Sequence, residues 1–314
     1  MTTRIGTAVH LTDAAVGSDG WHEARRTRIN GSEIAAVMGI SPFESPFSLW
    51  HRKAGSLADV ATNDVMYWGT QLEPVIRDEW NRRHLLDGVT ASETGQWCHH
   101  ERIWQGGSPD GLIYPLIVDS DNQRPDALLE VKTARYDDGW GEEGTDEIPV
   151  YYRAQTLWYL DVFGLDVCHV AVLIAGSEYR EYAVRYDPAE VESMRLMARA
   201  FLDTLDAGNA PPIDGHEATY EAVRELHPDI DPTSVDIPAG IAEPYLDALR
   251  GIRAAETEKR RCSALVVDAM GGAKDAHYQG RRIASRQAKK TEGSTPYLVA
   301  AKGAADHAEK GIAA

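Results

Sequence analysis

The residues best suited to chemistry are two acids and a lysine in the first half of the chain. Residues 128–132, Leu-Leu-Glu-Val-Lys, are predicted to form a strand, and because side chains alternate along a strand, Glu130 and Lys132 project to the same side. Asp110 precedes residues 111–114, which are predicted to form the strand of a hairpin whose return arm carries Glu130. Two carboxylates at strand ends are ligands that Mg²⁺ prefers, so the pattern predicts a magnesium site. A lysine beside such a site can orient or deprotonate a water for attack on a phosphodiester.

Glu73 is a further acidic candidate in the same region. It lies at the edge of an apolar stripe on a helix predicted at residues 69–84. Taken alone, a carboxylate in that position is more often a solvated surface group than a ligand. Its interest comes from preceding Asp110 and Glu130 in one predicted domain.

Three polar residues have both a structural and a functional interpretation. Arg28 and Ser32 precede a short helix predicted at residues 33–38, where they are either a solvated charge and a helix cap or part of a phosphate pocket. Spacing alone favours the first interpretation. Gln155 shares a face with two tyrosines on a helix predicted at residues 149–163, and such a stripe is usually core. The long amide within it makes a polar role at a cleft the alternative.

The order of the predicted elements divides the chain into three regions. Residues 1–20 are small and polar and are expected to form a flexible N-terminal arm. Residues 21–186 are expected to form an α/β core, with a mixed central sheet flanked by helices. Residues 187–314 are expected to form a mainly helical C-terminal extension with a small hairpin at residues 278–286.

Composition limits the classes of function. A hydrophobic content of 43% suffices for a packed core, and no apolar run approaches the roughly 18 residues that a membrane helix needs. We find no signal peptide, and the 3 dispersed cysteines predict reduced thiols in a cytoplasmic protein. The formal net charge of −17 counts against a generic nucleic-acid binder. Contact with DNA would need a local basic surface, a metal or a partner.

Five segments resemble, in order and spacing, the YqaJ-like viral recombinase nucleases, relatives of phage lambda exonuclease in the PD-(D/E)xK superfamily. An isolated Asp…Glu-x-Lys pattern is a weak signal, and five ordered segments are a stronger one. The resemblance extends from about residue 21 to residue 186, and the segments that carry it are residues 28–35, 69–73, 108–111, 130–132 and 151–155.

The resemblance implies a restriction-endonuclease-like fold and roles for individual residues. Asp110 and Glu130 would be metal ligands, assisted by the Val131 backbone carbonyl, with Glu73 as an acidic neighbour and Lys132 as the group that activates water. The residues implied to hold the terminal 5′ phosphate of DNA are Arg28, Ser32, Ser108 and Gln155. Mg²⁺ is the expected cofactor, with Mn²⁺ as an alternative. Some relatives bind an iron–sulfur cluster through four cysteines, and this chain has 3, which excludes that variant.

The sequence therefore predicts a Mg²⁺-dependent DNA exonuclease that acts 5′ to 3′ on duplex ends in phage-type recombination. It would provide single strands to an annealing protein, in the cytoplasm of a bacterial or phage-infected cell, and a homo-oligomer is compatible with this role. Two alternatives stay open. One is an endonuclease with the same metal site, and the other is an acidic interaction protein that keeps the fold and does not cut.

Overall fold

The computed structural model describes residues 3–15, 17–116, 124–288 and 294–305. These residues form two compact units, Met1–Asp229 and Ile230–Ala314. Most of the polar turn expected at residues 119–126, and the end of the chain after residue 305, lie outside the described residues.

The first unit combines short strands with seven described helices. Its strands are β1 (Arg4–Ile5), β2 (Ala8–Thr12), β3 (Ile29–Asn30), β4 (Val89–Ser92), β5 (Gln96–His99), β6 (Gln105–Gly107), β7 (Gly111–Pro115), β8 (Ala127–Ala134), β9 (Val167–Ile174) and β10 (Glu178–Arg185). Its helices are α1 (Asp19–Arg26), α2 (Gly31–Val37), α3 (Pro46–Lys53), α4 (Asp64–His84), α5 (Val150–Phe163), α6 (Pro188–Asp206) and α7 (Glu217–Leu226).

The central sheet has the strand order β10-β9-β8-β7-β4, with β8 and β9 parallel and the other pairs antiparallel. Strand β8 is buried on both faces because its apolar residues alternate between two cores. Leu128 packs in the cluster that contains α5, whereas Leu129 and Val131 pack with Ile76 and Trp80 of α4. This arrangement confirms the predicted α/β class, with a mixed central sheet flanked by helices.

A second sheet, with the order β1-β2-β5-β6-β3, includes residues that we expected in a flexible arm. Strands β1 and β2 form a hairpin, and β2 pairs with β5 through contacts such as Ala8 opposite His99. At the hairpin turn, a Cβ on Gly6 would lie 2.2 Å from the Phe163 carbonyl oxygen. The structure differs from the expectation because the pairing partner lies about 90 residues away, where a local sequence pattern contains no sign of it.

Helices α6 and α7, which we expected in the C-terminal extension, lie in the first unit. Helix α6 buries Val191, Met194, Ala198 and Phe201, whose spacing of three or four residues places them on one face. In α7 the hydroxyl of Thr219 is buried and hydrogen-bonds to Ser45 Oγ at 2.6 Å. These two helices are therefore packed parts of that unit.

The second unit contains one long helix and a three-stranded sheet. Its elements are α8 (Ala239–Met270), β11 (Asp275–Tyr278), β12 (Arg281–Gln287) and β13 (Tyr297–Ala300). Strands β11 and β12 form the expected hairpin around Gln279 and Gly280, both at positive φ, and β13 adds a strand that the sequence pattern does not predict. Among the described helices, none is long and apolar enough to cross a membrane.

Candidate active site

Strands β7 and β8 bring the predicted acids and lysine together. The antiparallel register sets Leu112 opposite Leu128 and Gly111 opposite Leu129, so Asp110 comes next to Glu130. Asp110 Oδ2 accepts a hydrogen bond of 2.7 Å from the Val131 amide. The Lys132 ammonium donates to Glu130 Oε1, as expected for two residues on the same side of a strand. The three side chains thus lie on the face of β8 that α5 covers.

Gln155 of α5 donates to the same Glu130 oxygen that accepts from Lys132. Its amide Nε2 donates to Glu130 Oε1 at 2.6 Å and to the Tyr159 hydroxyl at 3.0 Å. Glu130 is only 1% exposed, and its second oxygen, Oε2, has no hydrogen-bond partner in the described part of the chain. A buried carboxylate oxygen without a donor is costly, so this atom marks the position where a cation fits.

Helix α4 adds Glu73 and an arginine that sequence reasoning missed. Arg77 is buried, and its Nη1 donates to Glu73 Oε1 at 3.2 Å and to the Asp110 backbone carbonyl at 3.0 Å. Its Nη2 donates to Glu93 Oε2 at 3.2 Å. The signal in the sequence was the spacing of four residues between Glu73 and Arg77, which places both on one face of the helix.

The charges of the site are poorly solvated. Burial, and then the charge of Asp110, raises the pKa of Glu130 to about 8 and that of Glu73 to about 7. Burial also raises the pKa of Asp110. For Lys132, burial opposes the charged form, but the carboxylates of Glu130 and Asp110 outweigh it and raise its pKa above the ordinary value. Acids that are hard to ionise together are stabilised by an added positive charge.

The donor set fits a hard divalent cation. The available ligands are carboxylate oxygens of Asp110 and Glu130, and one Glu130 oxygen has no hydrogen-bond partner in the described ranges. Over the described residues, no three Asp, Glu, His or Cys side chains gather into a ligand cluster. A cation at this position would therefore complete its coordination with backbone carbonyl or water oxygens, as Mg²⁺ commonly does.

Ser32, Arg28 and Ser108, which are predicted to hold a phosphate, have different hydrogen-bond partners in the structure. Ser32 Oγ accepts a hydrogen bond of 2.7 Å from Arg25 Nη2, an arginine that we had not assigned to the site. Arg28 Nη1 instead donates to the Ala24 carbonyl at 2.7 Å, and its Nε is buried with no partner among the described residues. Several arginines precede Ser32, and spacing alone could not show which one reaches it. Ser108 Oγ donates to the Gly95 carbonyl at 3.3 Å.

Tyr159 connects the candidate phosphate residues to the acids. A Cβ on Gly31, next to Ser32, would lie 2.2 Å from the Tyr159 ring, and a Cβ on Gly107, next to Ser108, would lie 3.0 Å from it. Gln155 contacts both the Tyr159 hydroxyl and Glu130. The start of α2, the end of β6 and Glu130 of β8 thus lie against one face of α5.

Comparison with known proteins agrees with the resemblance to the YqaJ-like viral recombinases. Residues 20–166 match the family model described as YqaJ-like viral recombinase domain, which confirms the resemblance for that part of the chain. The uncharacterized protein YqaJ of Bacillus subtilis (strain 168) is 25% identical over 221 residues, which cover 68% of this chain and 65% of that protein. Protein D345L of African swine fever virus (strain Badajoz 1971 Vero-adapted) is 36% identical over 139 residues, covering 42% of this chain and 36% of that protein. The chain thus spans less than two thirds of the length of either relative.

Among solved structures, the chain is similar to an alkaline exonuclease, LHK-Exo, from Laribacter hongkongensis. The sequences are 21% identical, the TM-score is 0.46, and the match covers 68% of this chain and 100% of that one. A phage related exonuclease from Haemophilus somnus 129PT is 10% identical with a TM-score of 0.39, covering 58% of this chain and 96% of that one. Both matches leave about a third or more of this chain uncovered.

Proposed function

We propose that this protein is a Mg²⁺-dependent DNA exonuclease that degrades duplex ends from 5′ to 3′ and provides single strands to an annealing protein in phage-type recombination. The observation that carries the proposal is the buried Glu130, which contacts Lys132 through Oε1 and has no partner among the described residues for Oε2. The register of β7 and β8 sets Asp110 next to it. We place the catalytic core in residues 21–186, which overlap the matching segment of the recombinase family, residues 20–166, from residue 21 onwards.

In this proposal Asp110 and Glu130 hold the metal, with the Val131 backbone carbonyl as a further ligand and Glu73 as an acidic neighbour. Mg²⁺ or Mn²⁺, when bound, would supply Lewis-acid stabilisation of the charge that develops on phosphate and lower the pKa of a coordinated water. Arg77 keeps Glu73 and the Asp110 backbone in place through its two hydrogen bonds. The charges of Asp110 and Glu130 repel each other, and a bound cation would reduce that repulsion.

Lys132 is the residue proposed to position the attacking water. Its ammonium is anchored by Glu130 and lies 5.0 Å from the centre of the Tyr152 ring. Glu130 and Asp110 raise the pKa of Lys132. We infer that Lys132 orients or deprotonates the attacking water, and its raised pKa favours orientation as a hydrogen-bond donor.

The 5′ phosphate is proposed to bind among Arg28, Ser32, Ser108 and Gln155, with Arg25 as an additional cation. The support for Arg25 is its hydrogen bond to Ser32. The support for Arg28 is its buried Nε, which has no partner in the described residues and can donate to an anion. Such a pocket would explain how a chain with a net charge of −17 binds DNA ends locally.

The net charge also favours one alternative, an acidic interaction protein that keeps this fold and does not cut. Salt-dependent affinity for DNA distinguishes the two, because a protein that releases counterions from phosphate loses affinity as salt increases. A protein that never contacts DNA shows no such dependence.

The direct test of the site is digestion of linear duplex DNA by the unmutated protein and by Asp110→Ala, with Mg²⁺ and with EDTA. We expect digestion only with the metal and only by the unmutated protein. Asp78→Ala, at an exposed position of α4, serves as the matched control and should retain activity. Normal digestion by a folded Asp110→Ala protein would refute the site.

A further inference from the structure

Beneath the candidate phosphate pocket lies a buried ion pair between α3 and α2. Lys53, the last residue of α3, has a side chain that is 5% exposed, and its Nζ lies 3.0 Å from Glu33 Oε2. The same ammonium donates to the Arg28 carbonyl at 2.6 Å and to the Arg25 carbonyl at 3.3 Å. All three partners belong to the segment that leads from α1 into α2.

Glu33 connects Lys53 to Asn30 and Arg25, which lie at the candidate phosphate pocket. Its Oε2 accepts a hydrogen bond from the Asn30 backbone amide at 2.8 Å, which is the Glu33 half of the capping box of α2, and another from Asn30 Nδ2 at 2.9 Å. Its Oε1 lies 3.5 Å from Arg25 Nη2, the same nitrogen that donates to Ser32 Oγ. Glu33 is thus placed between the ammonium of Lys53 and the guanidinium of Arg25.

Stability alone does not explain a buried ion pair of this kind. Desolvation of two charges costs as much as their attraction returns, and an apolar pair of similar volume is often as stable or more stable. A buried ion pair does fix one geometry, because breaking it leaves a charge without a partner. Here the fixed geometry is that of the Arg25 and Arg28 carbonyls and of the Asn30 amide.

The charges of this cluster also favour binding of an anion. Arg25, Arg28 and Lys53 contribute three positive charges and Glu33 contributes one negative charge. The cluster therefore keeps a positive excess in a protein whose total charge is strongly negative, and a phosphate monoester is the ligand that matches such an excess.

We propose that Lys53 and Glu33 are positioning residues that determine the preference of this site for 5′-phosphorylated DNA ends. The inference rests on the proposed function. Glu33 orients the Arg25 guanidinium towards Ser32, while Lys53 holds the backbone carbonyls of Arg25 and Arg28. In the described part of the chain neither residue contacts Asp110 or Glu130, so their effect is on binding of the end and not on cleavage of the bond.

The test compares kcat/KM on linear duplexes that carry a 5′ phosphate or a 5′ hydroxyl. We expect Lys53→Met to reduce the ratio of the two values by about 10-fold or more, the scale on which loss of a supporting hydrogen-bond partner acts. The change should appear in KM for the phosphorylated end, with kcat at saturating DNA nearly unchanged. Glu33→Gln keeps the volume and an acceptor for Asn30, and should reduce the ratio in the same direction.

Arg199→Met is the matched control. Arg199 lies on α6 and pairs with Asp203, and both side chains are more than half exposed, so the substitution removes one positive charge outside the α1–α2 segment. It should leave the ratio unchanged, and thermal unfolding should show that all three variants are folded.

The outcomes separate this inference from the proposed function. A preference for phosphorylated ends in the unmutated protein that persists in both folded variants, Lys53→Met and Glu33→Gln, would overturn the positioning role alone. Equal rates of the unmutated protein on both kinds of end would instead overturn the phosphate pocket, and the inference with it. If Lys53→Met does not fold, Glu33→Gln decides.

Discussion

At the scale of single residues, the site is defined by a carboxylate that the fold buries at a cost. Glu130 accepts hydrogen bonds from Lys132 and Gln155 through one oxygen, and its other oxygen has no partner among the residues that the structure describes. Residues that destabilise the folded protein are expected at functional sites. Because burial disfavours the ionised form of Glu130, the free energy of unfolding should depend on pH.

Glu130→Gln should flatten that dependence in metal-free protein. Burial and Asp110 raise the pKa of Glu130 from 4.5 to about 8, so between these values the folded state keeps a proton that the unfolded chain releases. The unfolded state binds fewer protons, and the free energy of unfolding decreases as pH rises through this window. We expect a smaller decrease in the variant, measured by urea unfolding at several pH values, together with loss of cleavage by more than about 100-fold.

The control for this measurement is Glu192→Gln, at an exposed position of α6, which should keep the pH dependence of the unmutated protein. An identical slope in Glu130→Gln and the unmutated protein would show that the Glu130 carboxyl is not destabilised by burial. Asp110 and Glu73 also have raised pKa values, so a reduced slope is expected and not its complete loss.

At the scale of elements, helix α4 supports the acids through one side chain. Arg77 joins Glu73 on its own helix to the backbone of Asp110 at the start of β7. Arg77→Met should reduce cleavage about 10- to 100-fold and raise the Mg²⁺ concentration needed for half-maximal activity, as loss of outer-shell partners does at metal sites. Arg82→Met, on the exposed side of α4, is the matched control and should change neither quantity. Unchanged Mg²⁺ dependence in a folded Arg77→Met protein would contradict this role.

The contact between α2 and α5 depends on the absence of a side chain. A Cβ at Gly31 would lie 2.2 Å from Tyr159 Cε1, inside van der Waals contact, so Gly31→Ala must displace the ring. We expect a loss of about 1–3 kcal/mol in the free energy of unfolding, the usual cost of overpacking. Gly215→Ala, where no atom of the described structure lies within 4 Å of the new Cβ, should change it by less than about 0.5 kcal/mol. Equal stability of the two variants would refute the close packing.

The elements show what the sequence could and could not predict. Alternation along β8 sufficed to place Glu130 and Lys132 on one side, and helix periodicity placed Gln155 and Tyr159 together. The hairpin of β1 and β2 was missed because its partner strand is distant in sequence. Arg25 and Lys53 were missed because each acts through side-chain contacts between helices, which local spacing does not encode.

At the scale of the whole molecule, the chain divides after Asp229. Residues 228–238 are exposed and contain neither helix nor strand. Ile230 and Val235, 96% and 80% exposed, are suitable positions for thermolysin, which cleaves before large apolar residues. We expect the first cut in this segment, identified by mass spectrometry of the fragments. Ile230→Asp with Val235→Asp should slow it, and a first cut within residues 21–186 would contradict the division.

The activity proposed for the whole molecule is degradation of DNA from its ends with a divalent metal. The most direct measurement compares linear and covalently closed circular duplexes, with Mg²⁺ and with EDTA, and includes Glu130→Gln as the inactive control. We predict that the unmutated protein with Mg²⁺ degrades linear DNA and spares circles, and that EDTA or the substitution abolishes degradation. Cleavage of the circles would establish an endonuclease instead, and a folded protein that cuts neither substrate would contradict the proposed activity.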